Sequence, residues 1–393
     1  MGTSLPTVLR VAVDLTSQLT PLTGVGVATR ELVARLARRD ELALTGFAVT
    51  WRGRGRLGDV VPPGVDVVDR PMPARPLHAL WRRADHPLVD RWIGRHDVVW
   101  GPNFVVPPTR AAQVVTVHDL TPLHFPEMAG RFTLTYPGLI RRALRRGAWV
   151  HTDSDFVRRE VIEHFGADPA RVVAVHLGVR EAPPGDAAAG RALAGGERYL
   201  LAVGTVEPRK DLPTLVRAFD RLAGGDGGLR LVIAGPDGWG AEALTAAVGE
   251  AAHGARIVRL GWVDEDQRAA LLAGAAAYAY PSVYEGFGLP AVEAMSAGVP
   301  VVTTRAGSLP EVCRDGADLV AVGDADGLAA ALRRVVDDAG HRSDLIERGR
   351  KVAAGYDWDV TAERFAALLG QVAGSRPRPG SRAGDTTTYD DAP

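Results

Sequence analysis

Four charged side chains stand where they could handle a diphosphate and the groups attached to it. Glu285 and Glu293 lie eight positions apart in YEGFGLPAVEAMSAGVP (Tyr284–Pro300), and Arg209 and Lys210 adjoin in GTVEPRKDLPTLVRAF (Gly204–Phe219). Glu285 precedes a turn of Gly286, Phe287 and Gly288, after which Leu289 and Pro290 open a helix-like run that Gly298 ends. Proline suits a first helical turn, where its missing N–H is no loss, and glycine suits a helix end. This pattern predicts Glu293 near the first turn, on the side facing the loop, where free N–H groups and the helix dipole favour an anion. Carboxylates accept from several directions and suit vicinal hydroxyls. Arg209 and Lys210 immediately precede a helix that Asp211 would cap. Two cations there make a diphosphate site, arginine binding two oxygens at once. Each pair has a plain reading as well: Glu293 as a dipole complement with Glu285 solvated, and Arg209 and Lys210 as solvated loop cations. A sugar and a ribose joined by a diphosphate would use all four together.

The elements that must position these residues alternate between β-rich runs and helical stretches, the pattern of parallel α/β architecture. In the first half the predicted strands are Val8–Leu15, Leu42–Trp51, His96–Pro102, Gln113–Leu120, Ala148–Ser154 and Arg171–Gly178, with helices such as Gly26–Arg39 and Asp155–Gly166 between them. EAPPGDAAAGRALAGGE (Glu181–Glu197), rich in Pro, Gly and Ala, reads as a boundary. The second series is Tyr199–Thr205, Leu229–Pro236, Ala255–Val263, Ala276–Ser282 and Val299–Arg305, with a last helix over Asp357–Gly374. The polar, Pro/Gly-rich end is expected to be disordered. Two doubly wound domains facing a cleft follow, with ligands beyond the carboxyl ends of the strands.

Composition sets the bounds. A chain of 393 residues is long for one core and suits two domains. The formal charge of -1 supplies no global field for nucleic acid, so a charged ligand must be held by local groups. Cys313, the only cysteine, excludes an internal disulfide and a cysteine-based zinc site, and fits a reducing compartment. The start MGTSLPTVLRVAVDLT reads as a strand rather than a signal peptide, and no uncharged apolar run is long enough to span a bilayer. The expectation is a cytoplasmic protein, at most peripheral at the inner membrane surface.

Together these motifs resemble the family 4 glycosyltransferases, retaining nucleotide-sugar-dependent enzymes of the GT-B fold. The resemblance covers about Val8 to Gly374 and rests on EGFGLPAVE, the family's E-x7-E signature, and on GTVEPRKDLPTLVRAF, supported by TGVGVATREL, VVTVHDLTPLHFPE, VHLGV and AGSLPEV. It implies α/β architecture with two Rossmann-like domains: an acceptor domain over 1–182, a donor domain over 183–356, a helix over 357–374 crossing back to the first domain, and the tail 375–393. It also implies residue roles. Arg209 and Lys210 would hold the donor diphosphate and neutralise charge as it leaves; Glu293 would bind the ribose and Glu285 the transferred sugar. The backbone at Phe287, Gly288 and Leu289 would line the sugar and phosphate pocket, and Gly204 counts among the donor-binding residues. His118 would face the donor sugar across the cleft, and Gly24 and Gly26 would form a loop nearing the phosphates or acceptor. The resemblance leans towards bacterial mannosyltransferase-like members using GDP-mannose, with a glycan, lipid-linked or small-molecule acceptor. It implies same-face attack without a metal, the leaving phosphate helping to deprotonate the acceptor.

The supporting residues have alternatives. His118 is by itself a structural strand-end histidine as readily as a site residue, and Asp119 either orients it or caps the next turn. Gly24 and Gly26 also fit an ordinary loop opening a helix. Ser308–Glu311 reads as a capping box, Asp264–Asp266 and Asp324–Asp326 as helix caps rather than metal ligands, and Cys313 as buried filler. Arg141 and Arg145, like Arg142 and Arg146, share a helix face that could touch anionic lipid or simply be solvated. A nucleotide-sugar 2-epimerase of the same fold and a non-catalytic sugar-nucleotide-binding module are the rival functions. A dinucleotide oxidoreductase fits poorly, because GVGVAT ends in Thr29 and begins ten residues past Asp14 rather than directly after a strand.

Overall fold

The computed structural model describes residues 8–19, 24–53, 55–180 and 183–375. The predicted tail beyond residue 375, Thr23 of the glycine loop, and Glu181 and Ala182 at the expected domain boundary lie outside the described residues.

The described residues build two sheets. The first contains β1 (Leu9–Asp14), β2 (Leu42–Phe47), β3 (Asp66–Val68), β4 (Val98–Gly101), β5 (Ala112–Val117), β6 (Trp149–Thr152) and β7 (Val172–Ala174), in the order β3-β2-β1-β4-β5-β6-β7. The second contains β8 (Arg198–Val203), β9 (Leu229–Ala234), β10 (Ile257–Gly261), β11 (Ala277–Tyr280), β12 (Val301–Thr304) and β13 (Ala317–Val320), in the order β10-β9-β8-β11-β12-β13. All of these pairings are parallel. Parallel sheets covered on both faces need apolar residues on both, which is why Leu200, Leu201, Leu231, Val232 and Ile233 run without polar alternation and are all buried.

Every predicted strand run overlaps an observed strand, with most ends trimmed where the chain turns out of the sheet. The short edge strands β3 and β13 escaped prediction: DVV is three residues long, and ADLV is four residues long and carries an aspartate. The Glu181–Glu197 segment is more ordered than its composition suggested. Ala187–Ala194 is a helix, started by the Asp186 side chain accepting from Ala188 N and ended by left-handed Gly195. Alanine's helix propensity prevailed over the flanking Pro and Gly.

In each sheet the strand order reverses once, between β1 and β4 and between β8 and β11. Loops leaving the carboxyl ends of neighbouring strands diverge at such a point and leave a crevice. The loops after β8 and β11 are the two that carry Arg209, Lys210 and Glu285.

The last helix, Trp358–Gly374, starts with Asp357 accepting from Asp359 N and Val360 N. It returns to the first sheet, where the fully buried Phe365 ring lies 4.4 Å from Trp100 and 4.9 Å edge-on to His151. Thr361 Oγ1 donates to the carbonyl of His176 at 2.8 Å, fastening the start of the helix to the same half. Truncating this ring leaves a cavity that packed neighbours cannot fill. Phe365→Ala should lower stability by about 3–5 kcal/mol in urea unfolding; a change below about 1 kcal/mol would show that the helix is not seated there.

Candidate active site

β11 delivers the site. Tyr278 and Tyr280 lie two apart and so on one face of the strand, and Ser282 follows where the chain leaves it. Tyr280 and Ser282 then meet the carboxylate of Glu285, which folds back on the strand that precedes it. Glu285 Oε1 accepts from Tyr280 Oη at 2.8 Å, Ser282 Oγ at 2.7 Å and Lys210 Nζ at 2.7 Å, while Oε2 lies 2.5 Å from an Arg209 guanidinium nitrogen. Arg209 also donates to the carbonyl of Tyr284 at 3.0 Å, and Lys210 Nζ sits 4.5 Å over the Tyr280 ring while donating to its hydroxyl at 2.6 Å.

Arg209 and Lys210 belong to a short 3-10 turn, Pro208–Lys210. Asp211 follows in a left-handed conformation, and its side chain accepts from Thr214 N at the start of the Leu212–Ala223 helix, the cap expected of it. The two cations are therefore presented by a rigid turn. Gly204, at the end of β8, lies beside the Lys210 stem. A small pocket lined by Gly204, Lys210, Leu212, Tyr280 and Pro281 among others opens between the ends of β8 and β11.

Burial opposes charge on Glu285, but Arg209 and Lys210, with hydrogen bonds from Lys210 and Ser282, outweigh it and hold its carboxyl at about 2. Burial, with the Glu285 charge beside it, pushes the Tyr280 hydroxyl well up, so it stays a donor. Burial also lowers Lys210 below the usual ammonium range, offset only in part by Glu285 and reinforced by Arg209. Glu207 lies 3.7 Å from Arg209, and burial raises its carboxyl. Two cations thus share one firmly ionised carboxylate in a nearly dry site.

Glu293 is the fifth residue of the Leu289–Ser296 helix, just past the first turn, and pairs with Arg268 at 2.6 Å. The pair lines a second pocket with Arg180, Pro183 and Glu265. Gly288 is the N-cap, with φ 88°, a conformation that glycine tolerates and other residues resist. Leu289 opens the helix, and the buried Phe287 ring packs 5.4 Å from Tyr356. Gly24 and Gly26 begin the Gly24–Leu36 helix, where Gln18 donates to the carbonyl of Gly26 at 2.9 Å.

The first sheet meets the Tyr284–Gly288 loop directly. Ser154 Oγ donates to the carbonyl of Gly286 at 2.6 Å, and Leu120 N donates to Tyr284 Oη at 2.9 Å. A side chain at 286 would put its Cβ 1.7 Å from the carbonyl oxygen of His118, so only glycine permits this approach. The His118 ring itself is engaged within the first domain: Nδ1 lies 2.6 Å from Asp153 Oδ2 and Nε2 2.8 Å from the carbonyl of Pro102. Burial opposes its protonation, but Asp153 and these acceptors prevail and raise its pKa. Asp119 caps the next turn, accepting from Thr121 N at 2.9 Å, so the orienting residue is Asp153.

Glu311 is not half of a capping box. Its oxygens accept from Asp155 N and Phe156 N at 2.8 Å each, across the seam at the start of the Asp155–Phe165 helix, and Ser308 Oγ donates to the carbonyl of Glu285. Asp264 and Asp324 cap helices as predicted, and Cys313 is buried, its thiol raised to about 12 by that burial. The basic stripe divides. Arg142 and Arg146 turn onto Asp85, at 3.0 and 3.3 Å, and Arg146 also donates to the carbonyl of Val106, which leaves Arg141 and Arg145 exposed. Among the described residues no helix is long and apolar enough to cross a membrane.

Asp153, Tyr280, Ser282 and Ser154 are absent from the sequence-derived set. A signal for two of them existed: Tyr280 and Ser282 alternate along the strand that runs into Glu285.

Residues 187–352 match the glycosyl transferases group 1 family and residues 22–182 match Glycosyltransferase Family 4. The chain is 30% identical to the O-antigen chain mannosyltransferase B of Escherichia coli over 361 residues, which span 86% of this chain and 93% of that protein. The fold is similar to sucrose-phosphate synthase from Thermosynechococcus elongatus, with TM-score 0.73 and 19% identity over 94% of this chain and 100% of that one. It is similar also to Anabaena Alr3699/HepE, solved in complex with UDP and glucose, with TM-score 0.73 and 17% identity over 92% and 100%.

Removing the Glu285 charge strands two buried cations. Glu285→Gln should destabilise the protein by about 3–5 kcal/mol at neutral pH. Because folding depresses this carboxyl from 4.5 to about 2, its contribution is full above about pH 4.5 and is lost as pH falls towards about 2. Thermal unfolding of wild type and variant from pH 7 to pH 3 should show a constant gap that narrows below pH 4.5; a gap that widens in acid would contradict the assignment.

Proposed function

The chain belongs to the family 4 glycosyltransferases, hexosyltransferases of the GT-B fold, and on that footing we propose that it transfers mannose from GDP-mannose to an acceptor hydroxyl with retention of anomeric configuration. The observation that carries this reading is the Arg209–Lys210–Glu285 cluster at the reversal point of the second sheet. The donor diphosphate takes over the two cations, Glu285 is released from them, and its oxygens become acceptors for hydroxyls of the sugar. The mannosyl lean is supported by the similarity to an O-antigen mannosyltransferase, which also favours a growing glycan as acceptor and a role in polysaccharide biosynthesis.

In the reaction the bond from the anomeric carbon to the phosphate oxygen breaks and the electron pair leaves with the nucleoside diphosphate. The acceptor oxygen bonds to the same face of that carbon, and its proton passes to the departing phosphate oxygen. Charge therefore develops on the diphosphate, and fixed cations in a water-poor site stabilise it without reorganising. Arg209 and Lys210 supply that charge themselves, so no metal is needed at the phosphates. Glu293, released from Arg268, holds the ribose hydroxyls.

Removing one such charge should lower turnover by about 10²–10³-fold. Arg209→Ala and Lys210→Ala are expected to lose transfer at that scale with circular dichroism unchanged; near-normal turnover in both would remove the phosphate site. Thermal shifts with GDP-, UDP-, ADP- and dTDP-sugars should be largest for GDP-mannose, since a ligand stabilises according to its affinity. A larger shift with another nucleotide sugar would reassign the donor.

A further inference from the structure

Beside the seam, outside the diphosphate cluster, three potential ligands converge. Glu160 and His164 lie four apart on the Asp155–Phe165 helix and so share a face, and His124 ends the Thr121–His124 helix opposite them. One ligand atom from each lies within 4.8 Å of the others. His124 Nε2 is 2.7 Å from Glu160 Oε1, yet not along a hydrogen-bonding direction, so this buried nitrogen has no hydrogen-bond partner among the described residues. An imidazole nitrogen left without a hydrogen bond beside a carboxylate offers two ligand atoms to a cation once the pair parts from its 2.7 Å contact. Glu160 Oε2, the other oxygen, accepts from Tyr284 Oη at 2.5 Å. Carboxylate ligands are commonly oriented by such an outer hydrogen bond.

A second group of this kind among the described residues, Asp155, His176 and Glu311, lacks these features. Both Glu311 oxygens are occupied by backbone amides, and His176 makes a regular hydrogen bond to one of them at 2.8 Å.

We propose that His124, Glu160 and His164 bind a divalent transition-metal ion of the Zn²⁺ class. Two imidazoles and one carboxylate suit that class better than Mg²⁺ or Ca²⁺, which prefer oxygen. The exposed His164 turns inward, and His124 and Glu160 part from 2.7 Å, to reach the ligand separation of roughly 3.3–3.5 Å that a tetrahedral ion with bonds near 2.1 Å requires, and water completes the shell. Through Glu160 and Tyr284 the ion braces the first domain against the loop that carries Glu285. It takes no part in the transfer itself.

The test is competition for Zn²⁺ against a chromogenic chelator, using the full chain, with His164→Ala, His124→Asn, Tyr284→Phe and His176→Ala. The expected result is one equivalent bound by wild type and by His176→Ala, at least ten-fold weaker binding in His164→Ala and His124→Asn, and roughly ten-fold weaker binding in Tyr284→Phe. Anomalous diffraction at the zinc edge should place the ion between the three side chains. Absence of a saturable equivalent, equal affinity in His164→Ala and His124→Asn, or loss only in His176→Ala would overturn the site.

Discussion

The ion pairing of Glu285 with Arg209 and Lys210 is the constraint on which the rest of the second domain depends. Neither cation could stay buried without a counter-charge, and the carboxylate could not stay ionised there without both cations and the hydroxyls of Tyr280 and Ser282. The partners come from two strands that are neighbours only because the sheet reverses its order between β8 and β11. Topology therefore sets the chemistry: strand order brings the loops together, a 3-10 turn fixes the cations, and β11 supplies the hydroxyls. On the proposed function, a diphosphate entering this cluster exchanges one anion for another, so the site is held in shape by the group that the donor would displace.

The second constraint is the seam between the halves. Gly286 lies against the carbonyl of His118, Ser154 holds the carbonyl of Gly286, Tyr284 reaches Glu160, and Glu311 caps the Asp155–Phe165 helix across the gap. The loop that carries Glu285 is thereby clamped from both sides, and its neighbours in the first domain are backbone atoms as much as side chains. His118, with both ring nitrogens occupied, contributes rigidity to the seam.

Much of this was legible in the sequence. The buried strands announced themselves because parallel sheets demand continuous apolar runs, and Arg209, Lys210 and Glu285 stood in motifs with the glycines and prolines their turns require. What could not be read depended on contacts between distant segments. Nothing local tells that Glu311 caps a helix 155 residues away, that Asp153 rather than Asp119 orients His118, or that Asp85 draws in Arg142 and Arg146. The helix that carries Glu293 starts at Leu289 as read from the sequence, but its partner Arg268 comes from another helix and had no local signal. The edge strands β3 and β13 and the alanine helix after the first domain had signals too short or too mixed to separate from loop.

The most direct measurement is a crystal structure with an intact, non-transferable analogue of the donor nucleotide sugar. The account predicts diphosphate oxygens within hydrogen-bonding distance of Arg209 and Lys210, and the Glu285 carboxylate turned from those cations to hydroxyls of the sugar. A diphosphate bound elsewhere, with the Arg209–Lys210–Glu285 ion pairs intact, would contradict it.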